Sequence, residues 1–328
     1  MVPLPLWMRI DKALSHHMIW LVLSALALGI LLPEPFAPLR AYAALLMAIM
    51  TFCSSLSGGF RQIGHVLVHP LPTFVILLLL HIVMPTIGLM IGRFFLPHDP
   101  LFMTGIVLQL SISSAVSALM WVSTFGGNFP LCLAVILMDT LLSPVIIPLM
   151  LRVLIGSVVR LDVSAMMWDL VIMVAIPAVM AMLLNQATHG WAGETLKPRL
   201  ALVSKAALFI LVVANATGCA PFLRNLNGTL VLVIALIFFL CLTGFLMGYL
   251  CARFLKLDFP TCCTMTISSG MRNNSIGIVL ASEFFPPDVL FPVSLAPLFS
   301  QLTTSIVVRL LRRSAPAQND MTKHPEQS

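Results

Sequence analysis

Three ionisable side chains lie inside apolar stretches of this sequence: His81, Asp139 and Arg272. A charged group at the centre of a membrane span costs roughly 2.5 to 3.5 kcal/mol even on the mildest insertion scale, so such groups mark ion or substrate sites. A guanidinium binds a carboxylate, and an imidazole can carry a proton near neutral pH. We predict that Arg272 and Asp139 pair, directly or through water. Asp139 and His81 are candidates for coupling to protons, although Asp139 could cap a backbone break and His81 could bond a neighbouring carbonyl.

Two stretches of small polar residues interrupt the same apolar background. The first runs from Gln109 to Ser117 and the second from Ser268 to Ser275. Ser and Asn bond their own backbone in non-helical conformations and Gly favours an unwound turn, so each stretch predicts a break between two half-helices. Half-helix ends expose amides and carbonyls that can bind an ion. The alternative for the first stretch is that its serines only allow close helix packing.

The two stretches supply the candidate site residues. The expected ligands of a bound anion are Ser113, Ser114, Ser117, Arg272, Asn273 and Asn274. The expected backbone break of the second stretch is Ser268, Ser269 and Gly270. Asp139 lies nine residues after Pro130, about 14 Å into an apolar layer about 30 Å thick. This depth is similar to that of Arg272, which is why we expect the two to pair.

The composition indicates a protein that lies in a lipid bilayer. Of the 328 residues 59% are hydrophobic and 9% are charged, and the mean hydropathy is +1.04, whereas soluble domains carry about 25% charged residues. This excludes a cytosolic enzyme, a secreted disulfide scaffold, a nucleic-acid binder and an outer-membrane barrel. The seven cysteines have no metal-ligand spacing, and no catalytic motif is present. We therefore expect neither a metal site nor an enzyme.

Apolar windows of about 20 residues predict an all-α membrane protein with ten transmembrane helices. They lie near residues 17–32, 39–57, 72–95, 101–122, 130–151, 166–186, 200–217, 229–252, 261–282 and 289–311. The predicted organisation is an N-terminal segment 1–16, a first five-helix repeat 17–151, a linker 152–165, a second five-helix repeat 166–312 and a disordered tail 313–328. The fourth and ninth helices contain the two predicted breaks.

The distribution of basic residues predicts the orientation. Twelve of the 18 lysines and arginines fall on the side of the termini, five fall on the opposite side, and Arg272 lies inside a span. Because basic residues concentrate in cytoplasmic loops, both termini are predicted to be cytoplasmic.

The two halves show a weak internal similarity at an offset of 160 residues. The aligned pairs are Arg93-Phe94 with Arg253-Phe254 and Ser113-Ser114 with Asn273-Asn274. Each half holds an odd number of spans, so the second half must enter the membrane in the opposite direction. This predicts an inverted repeat, which many secondary transporters contain.

Three segments resemble the bile acid:sodium symporter family, in particular its bacterial members. They are Gly270, Met271, Arg272 and Asn273 with Gly277 behind them; Trp121 to Asn128; and Asp139 to Pro144. The resemblance covers about residues 17–312. It implies ten helices in two inverted five-helix repeats, with helices 4 and 9 broken and crossing at mid-membrane. It also implies transport of organic anions by alternating access coupled to sodium.

The sequence departs from that family where the resemblance would place the sodium ligands. Ser268 and Arg272 stand where the family has a Glu and a Gln. Ala118 and Leu119 replace a Ser-Asn pair, and Cys132 and Ile136 replace hydroxyl residues. Since sodium prefers several oxygen ligands, these departures argue against sodium at the usual two sites. A guanidinium could supply a fixed positive charge in its place.

We therefore expect a secondary active transporter of a small organic anion, a carboxylate, in the bacterial inner membrane. Arg272 would pair with the anion or hold Asp139, and the coupling ion would be a proton, or transport would be uncoupled. No other cofactor is expected, and the partners are the anion and lipid, with no nucleic acid. The alternatives are a sodium-coupled symporter of bile acid type and a membrane ligand sensor that does not transport. The sequence identifies no protein partner.

Overall fold

The computed structural model describes residues 18–59, 70–218, 220–224 and 227–313, together with Leu14 and Gly64. These residues are almost entirely helical, and within them the only β-type pairing is one isolated bridge. Most of the predicted N-terminal segment and the tail after residue 313 lie outside the described residues, as does Cys219. The predicted all-helical membrane protein is confirmed at this level.

Twelve helices carry the described part of the chain. They are α1 (Met18–Leu31), α2 (Ala43–Ser55), α3 (Pro70–Phe95), α4 (Pro100–Ser111), α5 (Ala118–Thr124), α6 (Phe129–Ile155), α7 (Val163–Ala187), α8 (Ala192–Ala216), α9 (Gly228–Phe254), α10 (Phe259–Gly270), α11 (Asn274–Phe284) and α12 (Pro287–Arg313). Short helical turns, Pro33–Phe36 and Ala37–Tyr42, lead into α2, and another, Ala220–Arg224, follows α8. Seven helices of the described chain are long and apolar enough to cross a membrane.

Side-chain caps set several helix starts. Asn128 accepts the amide of Leu131 (3.0 Å) at the start of α6, and Asp162 accepts the amide of Ala165 (3.0 Å) at the start of α7. The hydroxyl of Ser164 also donates to Asp162, and these bonds hold the pKa of that carboxyl below its usual range. Because α6 continues to Ile155 and α7 begins at Val163, the segment between these two helices is residues 156–162, within the predicted linker 152–165.

Glycines allow α9 and α10 to approach closely. A Cβ built on Gly248 would lie 2.8 Å from the carbonyl oxygen of Met265 and 3.0 Å from the Cα of Thr266. These are backbone atoms of the facing helix, which cannot rotate away as a side-chain tip could. The contact matters for function because α10 ends in the polar stretch that contains Ser268.

We expect Gly248→Ala to lower the free energy of unfolding by about 1 to 3 kcal/mol, the usual cost of overpacking. Gly228→Ala is the matched control, because nothing lies within 4 Å of a Cβ at that position and Ala favours a helix over Gly. Thermal unfolding in detergent would measure both. Equal midpoints for Gly248→Ala and wild type would contradict the tight packing of α9 on α10.

Candidate functional site at two paired helix breaks

Both predicted breaks are present in the structure, and the two meet. Between α4 and α5 the chain becomes extended at Ile112, with φ −71° and ψ 150°. Between α10 and α11 it becomes extended at Met271, with φ −90° and ψ 124°. The amide of Asn273 donates to the carbonyl of Ser113 (2.8 Å), and the amide of Ala115 donates to the carbonyl of Met271 (3.1 Å). The two segments therefore form one rung of antiparallel pairing, with Ser114 opposite Arg272.

The second break lies slightly later than predicted. Ser268, Ser269 and Gly270 were expected to be the break, but they form the buried last turn of α10. The non-helical residues are Met271 to Asn273, of which Met271 is extended, and α11 begins at Asn274. The Met271 amide still donates to Ile267 of α10, but the Met271 carbonyl and the Asn273 amide take their backbone partners from the other break. This pairing explains why the helix ends here.

Asp139 projects from α6 onto the first break. Its Oδ2 accepts the backbone amide of Ser114 at 2.6 Å, and its Oδ1 lies 2.6 Å from Nε2 of His81. The side chains of both Asp139 and His81 are almost fully buried. A buried carboxylate with a partner on each oxygen is strongly held, so Asp139 joins α3, α6 and the break between α4 and α5.

His81 is positioned by an irregular turn in α3. The helix widens into a π-turn over Leu79–Val83, which ends two residues before Pro85. A proline ring clashes with the carbonyl four residues earlier, here that of His81, and cannot donate to it. Single π-turns relieve such defects and are frequent at functional sites.

Arg272 is buried at the bridge between the two breaks. One terminal nitrogen, Nη1, donates to the backbone carbonyls of Leu80 (3.3 Å) and Ile112 (3.2 Å). The other, Nη2, is buried and has no partner in the described part of the chain. The guanidinium therefore links the π-turn of α3 to the first break and keeps one donor nitrogen free.

Of the predicted pairing of Arg272 with Asp139, the direct form is wrong, because the two side chains do not form an ion pair in the structure. Pairing through water stays a prediction. His81 occupies one oxygen of Asp139 and the Ser114 amide occupies the other. Arg272 nevertheless stays within electrostatic range of Asp139. The alternative that His81 only bonds a carbonyl is also wrong, since its partner is a carboxylate.

The remaining predicted ligands differ in their surroundings. Ser113 is buried and its hydroxyl has no partner among the described residues, whereas Ser117 is exposed at the start of α5. The side chain of Asn274 accepts from Gln109 (2.7 Å) and donates to Ser300 of α12 (3.3 Å). Asn273 is half-buried and contributes its backbone amide to the bridge.

Some groups of the candidate site could not be predicted from the type of residue that carries them. The carbonyls of Leu80 and Ile112 are backbone groups of apolar residues, so no sequence signal marks them. Ser300 stands in an ordinary apolar helix and was missed for that reason. Cys132 approaches the hydroxyl of Ser268 at 3.6 Å, which brings together two of the positions that depart from the family pattern.

A separate cavity of about 510 Å³ lies between α2, α7 and α11. Its lining includes Asp169, Glu283 and Phe284. None of the predicted site residues lines it, so it is distinct from the paired breaks.

Comparison with known proteins identifies the family. The sequence model of the Sodium Bile acid symporter family matches residues 44–224. The chain is also 34% identical over 290 residues to "Uncharacterized protein YbaS" of Bacillus subtilis (strain 168), covering 88% of this chain and 95% of that protein. The chain belongs to the Sodium Bile acid symporter family. The family resemblance derived from residues 121–144 and 270–277 is thereby confirmed.

Two further relatives carry transporter names. "Uncharacterized sodium-dependent transporter YocS" of Bacillus subtilis (strain 168) is 23% identical over 306 residues, covering 92% of this chain and 93% of that protein. "Probable sodium/metabolite cotransporter BASS1, chloroplastic" of Arabidopsis thaliana is 25% identical over 254 residues, covering 76% of this chain and 61% of that protein. Members of the family are symporters, so the chain is a membrane transporter and not an enzyme.

Proposed function

We propose that this chain is a secondary active transporter that carries a small organic carboxylate by alternating access, without using the family's usual sodium sites. It would lie in the bacterial inner membrane as ten spans in two inverted five-helix repeats, with both termini cytoplasmic. The bound anion would lie at the paired breaks, where Arg272 supplies the positive charge.

The geometry of the breaks supports the inverted repeat. Ser113 lies opposite Asn273 in the antiparallel rung, and these residues are 160 positions apart, the offset at which the two halves align. Two copies of one unit related by a two-fold axis in the membrane plane bring equivalent residues together in this way.

The observation that carries the proposal is the buried Nη2 of Arg272, which has no partner among the described residues. A buried guanidinium nitrogen without an acceptor is costly, and a carboxylate is the acceptor whose charge and geometry suit it best. The hydroxyls of Ser113 and Ser269 are also buried without partners. An entering carboxylate could therefore satisfy donors that the protein itself leaves open.

The residues at the usual sodium positions do not suit sodium in this chain. Cys132 offers sulfur and Ala118 offers no ligand, while Ser268 replaces a carboxylate. Sodium is a hard cation that requires oxygen ligands. Arg272 instead donates to the carbonyl oxygens of Leu80 and Ile112, which are oxygens of the kind that bind a metal cation. We infer that its fixed charge takes over the electrostatic role of the ion.

A test of this function uses the purified protein and a defined panel: pyruvate, 2-oxoisovalerate, pantothenate, taurocholate and, as a cationic control, choline. Ligands that bind the folded state raise its thermal stability, so stabilisation by a small carboxylate without sodium is expected. Counterflow of the same labelled compound in proteoliposomes should follow. Stabilisation only in the presence of sodium would contradict the proposal and favour a sodium-coupled symporter. Binding without counterflow would indicate a ligand sensor that does not transport.

A further inference from the structure

We propose that the His81–Asp139 pair is the proton site of this transporter, and that one proton binds there for each monovalent carboxylate carried. The inference rests on the proposed function, because it assigns the coupling ion of that same anion site. It predicts symport in which the translocated complex gains no net charge.

The pair is buried, and one of its nitrogen atoms has no hydrogen-bond partner among the described residues. Oδ1 of Asp139 and Nε2 of His81 are 2.6 Å apart, and the relative exposures of the two side chains are 0% and 3%. Nδ1 of His81 is buried and has no partner among the described residues. An imidazole with one nitrogen on a carboxylate and the other open is neutral or protonated according to the local charge.

The local charge is balanced before an anion enters. Among the described residues, Arg272 at the second break lies within electrostatic range of Asp139, and Cys241 of α9 lies within range of Arg272. Cys132, on the same helix as Asp139, contacts Ser268. Buried thiols are neutral, so Arg272 and Asp139 are opposite charges that cancel while His81 is neutral. A single uncompensated charge in such a site costs several kcal/mol.

An entering carboxylate changes this balance by one negative charge. A proton from water then restores neutrality when it binds to the pair as an N–H or an O–H bond, and it is released to water on the other side of the membrane. Without the anion the same proton would leave the site one charge too positive. Each ligand therefore raises the affinity for the other, and thermodynamic linkage makes the effect reciprocal.

The pair also contacts the segment where the two helix breaks meet. The second oxygen of Asp139 holds the amide of Ser114, and Ser114 lies opposite Arg272 in the rung. The hydroxyl of Ser114 donates to the carbonyl of Ser268 (3.1 Å). A proton on the pair weakens the negative charge that holds the Ser114 amide, so the protonation state reaches both breaks through one residue.

Infrared difference spectroscopy of the purified protein, saturated with the best small carboxylate of the panel, tests proton binding directly, because the bound anion raises the affinity of the pair for the proton. Spectra taken at about pH 5 and pH 8, the range in which His titrates, should contain carboxyl or imidazole bands that Asp139→Asn and His81→Gln each remove. Asp258→Asn is the control, because Asp258 is exposed at the start of α10. Superimposable difference spectra for wild type and Asp139→Asn would overturn the assignment of the proton site.

Proteoliposomes test the coupling with the carboxylates of the panel. A pH gradient of one unit should drive about tenfold accumulation if one proton accompanies each monoanion, since a factor of ten corresponds to one pH unit. Asp139→Asn and His81→Gln should lose this pH-driven accumulation, so that the internal concentration rises no more than about onefold. Asp258→Asn should behave as wild type.

The outcomes separate the inference from the function on which it rests. Counterflow in wild type with accumulation driven by a sodium gradient and not by pH would overturn the proton site and leave carboxylate transport intact. Accumulation by Asp139→Asn equal to that of wild type would also overturn the proton site and leave carboxylate transport intact. Absence of counterflow for every panel carboxylate would overturn the proposed function. It would also overturn the proposed symport of protons with carboxylates.

Discussion

Arg272→Gln is expected to weaken carboxylate binding at least about 30-fold. Removing one partner of a buried, hydrogen-bonded charge pair costs about 2 kcal/mol or more, and each 1.4 kcal/mol is a factor of ten. Gln is uncharged, so a carboxylate at the paired breaks would lose the guanidinium that is expected to bind it. Titration of thermal stability with the best small carboxylate of the panel would measure the change.

Two comparisons separate charge loss from misfolding. Arg272→Lys keeps the positive charge but lacks the planar fork that reaches Leu80 and Ile112 while leaving Nη2 free, so intermediate binding is expected. Arg253→Gln makes the same change at an exposed arginine near the end of α9 and should bind as wild type does. Equal carboxylate binding by Arg272→Gln and Arg253→Gln would show that Arg272 does not bind the anion.

The polar breaks were predictable because their residue types conflict with their surroundings. Ser, Gly and Asn disfavour a continuous helix in an apolar span, and Arg272 is too costly there to be incidental. The region of both breaks followed from that conflict. Their detailed limits did not, because the pairing of Ser113 with Asn273 joins residues 160 positions apart.

The partners of the charged groups were less predictable. Similar depth suggested that Arg272 and Asp139 would pair, but depth says nothing about which way each side chain faces around its helix. His81, in the π-turn before Pro85, contacts Asp139, and Arg272 donates to backbone carbonyls. Carbonyl acceptors carry no signature in residue type, so a local pattern could not have identified them.

Asp139→Leu is expected to be the most destabilising single change at the site, at about 3 to 5 kcal/mol. The substitution leaves the buried Ser114 amide without its acceptor and the buried Nε2 of His81 without its partner. It also leaves the charge of Arg272 without a nearby carboxylate. Asp139→Asn keeps an oxygen for the Ser114 amide and should cost about 1 to 2 kcal/mol. Unfolding in detergent, followed by heat or denaturant, would measure both.

A double-mutant cycle with His81→Leu tests whether the loss arises from this pair. If the two side chains hold each other, the double variant should be more stable than the sum of the two single losses predicts, because removing both partners avoids one orphaned buried group. Asp258→Leu makes the same change at the exposed start of α10 and should alter stability by no more than about 0.5 kcal/mol. Strictly additive losses at His81 and Asp139 would mean that their 2.6 Å contact contributes no coupling, and that the Ser114 amide and the charge of Arg272 account for the role of Asp139.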